Sequence, residues 1–494
     1  MTFLNRAEIE MNYRLIGKFI SKMLMVEAVF MLPALLISIY HKEEKGIYGF
    51  LVTIAVTMLT AVVLAVCCRE TKNIFRAREG LICVGIAWIM ISLLGCLPFY
   101  FSGQVPQFID ALFETVSGFT TTGASVLSDV ESLYKGNLYW RSFTHWLGGM
   151  GVLVFVLALG GESRQSDGYT MHLLRAESPG PKVSKLVPRM KDTAKILYFI
   201  YFGLTVLDVL FLLLGGMPGL DAVCIALGTA GTGGFGIKND SMAGYSPYIQ
   251  NVCTVFMLLF GINFSCYYLL LLRQVKSVLR DEELRFYLVT VFGSIALIAW
   301  NIRGMYGTWG DTIRDAAFQV ASIITTTGFS TADFDLWPSF SKAIMICLML
   351  VGGCAGSTSG GFKCGRTLLL LKSLRRNVRQ ILHPQKVQVV RMNGQMVEEQ
   401  VLDNTNAYLA AYLFMMVFSF VVISLDGFSS LTNLTAVSAC FNNVGPGLDA
   451  VGPTCNFGGY SALSKGILIV DMLAGRLEIF PILILFSRST WTRR

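Results

Sequence analysis

Four short turns carry the residues whose types and spacing could do chemistry in this 494-residue chain: TTTG at Thr120–Gly123, GTGG at Gly231–Gly234, TTTG at Thr325–Gly328 and NNVG at Asn442–Gly445. Backbone carbonyls replace a cation's hydration shell only where the chain turns them all inward, and glycine reaches the positive φ that such a turn requires. Threonine hydroxyls and asparagine amides can brace such a loop. The chemistry implied is coordination of a dehydrated cation. Its candidate ligands are Thr121, Thr122 and Gly123; Thr232, Gly233 and Gly234; Thr326, Thr327 and Gly328; and Asn443, Val444 and Gly445.

The elements that must position these turns recur with them. An Asp-Ala pair begins at Asp110, Asp221 and Asp315, and each time the last glycine of the turn stands thirteen residues on; the fourth copy has Thr432 in place of the aspartate. Asp110, Asp221, Asp315 and Thr432 are of helix-capping type and are expected to open four short helices. Thirteen helical residues reach roughly 20 Å, too little to cross a bilayer. A segment that enters lipid and stops must line a protected cavity, because unpaired backbone in hydrocarbon is prohibitive. Each short helix then aims its carbonyl end at a common axis, where the macrodipole favours a cation.

Composition sets the surroundings. Hydrophobic residues make up 54% of the chain and charged residues only 15%, with a mean hydropathy of +0.59, so the apolar runs must face lipid. The net charge of +8 lies in short loops between apolar runs, as the positive-inside rule expects, which argues against nucleic acid as a partner. The cysteines, such as Cys67, Cys68, Cys83, Cys96, Cys253, Cys266 and Cys347, sit in or beside apolar runs without a CxxC pair and read as small hydrophobes. No cleavable leader is evident in the long first apolar run. No nucleophile–base set or metal-ligand spacing stands in the spans, which tells against a membrane enzyme.

In chain order, spans at about Ser21–Tyr40 and Ile47–Cys68 form an N-terminal accessory hairpin within residues 1–79. Four units of span, short segment, turn and second span follow, over 80–190, 191–285, 286–400 and 401–494. Their second spans are expected at Tyr139–Leu159, Asn251–Leu272, Ser341–Leu371 and Tyr460–Phe486. Every unit exits into a basic segment, so all four share one orientation and are related by rotation about the membrane normal. The expected fold is all-α and polytopic, with ten spans, both termini cytoplasmic, and four parallel M1-P-M2 pore-loop repeats in pseudo-fourfold arrangement.

Two features lie deeper. The stretch Gly352–Gly365, GGCAGSTSGGFKCG, interrupts the third exit helix with Gly352, Gly353, Gly356, Ser357, Thr358, Gly360, Gly361 and Lys363. It reads as an intramembrane gate below the turns, or else as a small-residue packing face. Arg476 and Glu478 stand in the last span, where a charge faces a partner or an aqueous path; a local pair of Arg476 with Glu478 or Asp471 is the structural alternative. Asp129, Glu131, Asp240, Asp333, Asp335 and Asp449 follow the turns and would concentrate cations at an outer mouth, if they are more than ordinary loop residues.

TVSGFTTTGAS, TGGFG, ITTTGFSTADFD and NNVGPGL resemble the four filter loops of the Trk/Ktr/HKT superfamily of potassium transport proteins. WLGGMG at Trp146–Gly151, MHLLRAESPGPKVSKLVPR at Met171–Arg189, GGCAGSTSGGFK at Gly352–Lys363 and MLAGRLEIFP at Met472–Pro481 resemble its bacterial TrkH branch, as does the N-terminal hairpin. The resemblance covers essentially the whole chain. It implies that Gly123, Gly234, Gly328 and Gly445 are filter glycines. A serine in the first of these positions goes with sodium-selective plant members, so Gly123 implies potassium. The broken helix would be the gating loop and Arg476 a basic residue facing the pore. The resemblance also implies a homodimer in the bacterial inner membrane on a cytoplasmic ring of TrkA-type nucleotide-binding subunits, with no cofactor but the transported potassium. The residues leave a weakly selective potassium/sodium channel, an ammonium-permeable relative and a symporter open. Gly231 and Gly233 in GTAGTGGFGIKN depart from the hydroxyl residues of the other turns and leave that quarter more flexible.

Overall fold

Long apolar runs can leave water only as helices, because each backbone N–H and C=O must then find its partner within the segment. In the computed structural model, which describes residues 12–69, 77–151 and 190–491, they do so. Tyr13–Phe30 and Leu32–Tyr40 form one 28-residue apolar stretch, opened by Asn12, whose side-chain oxygen accepts from Leu15 N at 3.1 Å. Glu44–Cys67 returns against it, and Ser21 Oγ donates to Ala61 O at 2.7 Å across the pair. The first span thus starts earlier than the sequence predicts. Among the described residues six helices are long and apolar enough to cross a membrane, or seven if a bent pair counts as one span.

The expected ten spans differ from this count at the second helices of the units: among the described residues those of the last three units are broken, and that of the first is described only as far as its end at Gly149. Lys135–Gly149 stops at Met150, and the rest of the expected Tyr139–Leu159 span lies outside the described residues, as does the Met171–Arg189 motif. The expected Asn251–Leu272 span is two helices, Pro247–Phe260 and Phe264–Leu271, bent by 89°. In the third unit Ser339–Val351 and Cys364–Leu382 flank the glycine-rich stretch, as its composition predicts. In the fourth, Ala462–Arg476 and Phe480–Phe486 are separated by Leu477, Glu478 and Ile479, the last two at positive φ of 60° and 65°.

Four short helices sit among these: Phe108–Phe119, Gly219–Gly231, Trp309–Ile324 and Ser430–Phe441. Their last turns are buried and their C-terminal ends are in register with the four turns. Their starts are not. The residues at the N-cap are Gln107, Pro218, Thr308 and Ser429, so the expectation of caps at Asp110, Asp221, Asp315 and Thr432 is corrected. Thr308 Oγ1 and Ser429 Oγ each accept from the backbone N–H three residues on, at 3.1 Å in both cases. Asp110 and Asp221 lie inside the first turn, where a negative charge still meets the positive end of the dipole. Asp315 falls a turn later because its helix is longer, 16 residues against 12 or 13.

A buried ion pair joins the last unit to the first. Lys465 Nζ, on Ala462–Arg476, reaches Asp110 Oδ1 at 2.6 Å, and the lysine side chain is only 5% exposed. Removing one member of such a pair strands the other charge away from water. Asp110→Asn is expected to destabilise the purified protein by about 3 kcal/mol, read as a lowered thermal midpoint. Asp311→Asn, which removes one charge of the more exposed 2.9 Å pair with Arg314, is expected to leave the thermal midpoint close to that of the unmodified protein.

Candidate functional site

The four turns share one backbone. The glycine at the end of each takes a positive φ: 79° at Gly123, 73° at Gly234, 88° at Gly328 and 96° at Gly445. The residue two places earlier does so as well: 55° at Thr121, 52° at Thr232, 55° at Thr326 and 55° at Asn443. Left-handed backbone is costly for a β-branched threonine and persists only where the surroundings over-determine it. The turns also meet in cyclic order. A Cβ on Gly123 would press on Gly233 O, one on Gly234 on Thr327 O, one on Gly328 on Val444 O, and one on Gly445 on Thr122 O. The carbonyl before each glycine therefore lies against the glycine of a neighbouring turn.

Side chains behind the ring hold this backbone. Thr120 Oγ1 donates to Val116 O at 2.7 Å, which leaves the Thr122 hydroxyl to donate to Thr120 at 2.7 Å. Thr325 and Thr327 repeat the arrangement at 2.6 and 2.7 Å. In the fourth turn Asn443 Nδ2 donates to Thr122 Oγ1 and Met472 O, both at 3.0 Å, so it binds the last loop to the first. The second turn has neither hydroxyl of the pair. A Cβ on Gly231 would meet the His145 carbonyl, and one on Gly233 would meet the fully buried His145 ring.

Beneath the ring lies the glycine-rich break of the third unit. Gly360 N donates to Thr326 Oγ1 at 2.7 Å, and a Cβ on Gly360 would meet Asn442 O and Asn443, so the break touches two of the four turns. Cys354 N bonds Gly261 O and Phe264 N bonds Gly356 O, each at 3.0 Å, which joins it to the bend of the second unit. Thr358 Oγ1 donates to Phe260 O at 3.3 Å, Ser357 Oγ to Cys354 O at 2.6 Å, and Lys363 Nζ to Ser359 O. Gly352, Gly356 and Gly361 take φ values of 72°, 74° and 79°. Gly353 is buried, its Cβ position facing Ser359. Arg476 donates to Thr358 O at 2.8 Å, to Gly149 O at 2.6 Å and to Gly148 O, bridging this stretch to the first unit. The local alternative is corrected: Glu478 pairs with Arg366, and Asp471 accepts from Ser419 at 2.7 Å.

Above the ring a cavity of about 130 Å³ is lined by Gly123, Gly234, Gly328 and Gly445, together with Arg141 and Lys238. The carboxylates expected at this mouth are not among its lining residues. Asp129 is held below the usual carboxylate range chiefly by the Asn239 amide, and Asp449 by the hydroxyls of Ser429 and Thr432. Asp335 lies 3.5 Å from Lys342, and Glu131 accepts from Asn239 N at 3.0 Å. These acids tie the outer loops together.

Three residues at the site escape the sequence reading. Glu114 and Arg141 form a 2.5 Å ion pair with side chains 0% and 4% exposed, beside the first and second turns. Glu283 Oε1 accepts from Ala355 N at 2.6 Å and Gly365 N at 2.9 Å, gripping both ends of the third break. The signal available was a charge inside an apolar segment, in DALFETVSG and in YWRSFTHW.

A family model described as TrkH, a cation transport protein, matches residues 47–492. The Trk system potassium uptake protein TrkG of Escherichia coli strain K12 is 34% identical over 474 residues, covering 93% of this chain and 95% of that one. The Trk system potassium uptake protein TrkH of Salmonella typhimurium strain LT2 is 37% identical over 437 residues, covering 86% and 88%. The crystal structure of the potassium transporter TrkH from Vibrio parahaemolyticus matches with a TM-score of 0.86 at 30% identity, over 97% of this chain and 100% of that one.

Gly234 and Gly216 separate the two demands on a turn glycine. At Gly216, φ is 80° but nothing stands within 4 Å of a Cβ, so Gly216→Ala is expected to cost only the left-handed strain, about 1–2 kcal/mol. Gly234→Ala adds a collision with the Thr327 carbonyl and is expected to lower the thermal midpoint further. Equal midpoints for the two variants would show that the turns do not press on each other.

Proposed function

The chain belongs to the TrkH family of cation transport proteins, and on that premise we propose that it takes up potassium through the ring of four turns. It is an integral membrane protein, mostly helical. Its relatives are named as transport proteins, not as enzymes. The observation that carries the potassium reading is the repeated backbone: positive φ at the same two positions of all four turns, with the carbonyls of Thr122, Gly233, Thr327 and Val444 set against neighbouring glycines.

In this reading the four units are pore-loop repeats and the twelve residues from Thr121–Gly123, Thr232–Gly234, Thr326–Gly328 and Asn443–Gly445 form the filter. A potassium ion entering from the outer cavity exchanges water for these carbonyls. The short helices point their carbonyl ends at the same place, which favours a cation there. The Gly352–Lys363 break and Arg476 form the gate. A guanidinium below the filter repels a descending cation, so conduction requires this layer to shift. Inward accumulation needs no coupled ion, since the membrane potential supplies about 2.3 kcal/mol per unit charge per 100 mV. Residence in the bacterial inner membrane with cytoplasmic termini, a dimer, and a TrkA-type nucleotide-binding partner that moves the gate belong to the same reading.

A weakly selective potassium/sodium path is the second reading, favoured by the missing hydroxyl pair of the second turn. Ion-replacement flux in liposomes separates the two. Gly123→Ser adds a side chain at a left-handed position pressed against Gly233 O, a strain of about 1–2 kcal/mol. A Cβ there cannot be accommodated without a shift of the backbone, and the potassium-over-sodium ratio is expected to fall by up to about tenfold; an unchanged ratio removes Gly123 from the filter.

Arg476→Ala tests the gate. Deleting a unit charge from the ion path is expected to raise potassium flux about tenfold or more at equal protein incorporation. Wild-type flux would leave Arg476 as a helix-bridging residue only.

A further inference from the structure

The short helices grip the segments that follow their glycines, with one exception. In the first unit Glu114 accepts from Val126 N at 3.1 Å and from Ser125 Oγ at 3.0 Å. In the third, Gln319 Nε2 donates to Ala332 O at 2.9 Å and Ser322 Oγ to Phe329 O at 2.5 Å. In the fourth, Thr435 Oγ1 accepts from Leu448 N at 3.1 Å. In the second helix the position of Glu114 and Gln319 is held by Ile225, which has no polar atom to offer.

The segment after Gly234 is held from the first unit instead. Arg141 donates through Nη1 to Gly236 O at 2.8 Å, and its guanidinium lies 3.5 Å from the centre of the Phe235 ring. Nε of the same group donates to Glu114 at 2.5 Å. His145, one turn further along the Arg141 helix, stacks on Phe235 at 4.1 Å. One carboxylate thus grips the first loop through its backbone and the second through the guanidinium. Lysine cannot copy this geometry, since a single ammonium lacks the planar fork that serves two acceptors and a ring face together.

We propose that Glu114 and Arg141 are a positioning clamp that sets the second quarter of the filter and with it the preference between potassium and sodium. The proposal rests on the filter reading above. The clamp compensates for the flexibility of the glycine-rich second turn, whose own helix contributes no side-chain grip at this point. A buried ion pair is costly to build, and its cost here is offset by four hydrogen bonds: Val126 N and a bifurcated Ser125 hydroxyl to Glu114, Arg141 to Glu114, and Arg141 to Gly236 O.

The test is the ratio of potassium to sodium uptake into liposomes holding the full-length protein, wild type against Arg141→Lys and Phe235→Leu. The ratio is insensitive to how much protein folds, because loss of folded molecules lowers both fluxes alike. Arg141→Lys keeps the charge beside Glu114 but gives up the reach to Gly236, and the ratio is expected to fall about tenfold, the equivalent of one charge-assisted hydrogen bond. Phe235→Leu keeps the ion pair and removes the ring beneath it, and should move the ratio in the same direction by less; it decides the matter if the first variant does not assemble. A selective wild type with unchanged ratios in the assembled variants overturns the clamp alone. A wild type with no preference overturns the filter reading and the clamp with it.

Discussion

The rest of the structure depends on one steric constraint, the approach of four backbone turns so close that each glycine faces a carbonyl of the next. No Cβ fits at Gly123, Gly234, Gly328 or Gly445, and the residue two places before each must also be left-handed. Three of those residues are threonines, for which the conformation is unfavourable. Such strain survives only if the surroundings supply more than they lose by holding it. The paired hydroxyls of Thr120 with Thr122 and Thr325 with Thr327, and the amide of Asn443, are where the surroundings do so.

Charge placement follows from the same constraint. Groups that hold a strained loop from behind cannot be solvated, so they come as pairs or grip backbone. Lys465 with Asp110 and Arg141 with Glu114 are pairs; Glu283 grips the amides of Ala355 and Gly365. The acids that follow the turns serve the loops as well, and the cavity beside the four glycines is lined by Arg141 and Lys238 and not by the expected carboxylates. Arg476 donates to carbonyls of two different units.

How far the sequence reading reached can be followed residue by residue. The thirteen-residue register identified all four turns because it is a property of local chain geometry at the helix C-terminus. It misplaced the helix starts because Gln107, Pro218, Thr308 and Ser429 begin helices of unequal length, and an aspartate inside a first turn resembles one at a cap. The third break was legible from its glycines. The breaks at Gly261–Asn263 and Leu477–Ile479 were not, although Asn263 caps the half-helix after the first and Pro481 stands at the start of the helix after the second; hydropathy runs unbroken through both segments and hides these signals.

The sequence by itself determined the membrane class, the four turns and the family, because hydropathy, residue type and spacing are local and each is written in consecutive residues. Tertiary structure alone decided which turn faces which, that His145 stands against Gly231 and Gly233, and that Arg476 bridges to Thr358, Gly148 and Gly149 while Glu478 turns to Arg366. It also decided that Arg141 of one unit holds Gly236 of the next. Those partners lie far apart along the chain, and no periodicity connects them; they meet only because the four turns press on one another and each leaves a different gap for its neighbour to fill.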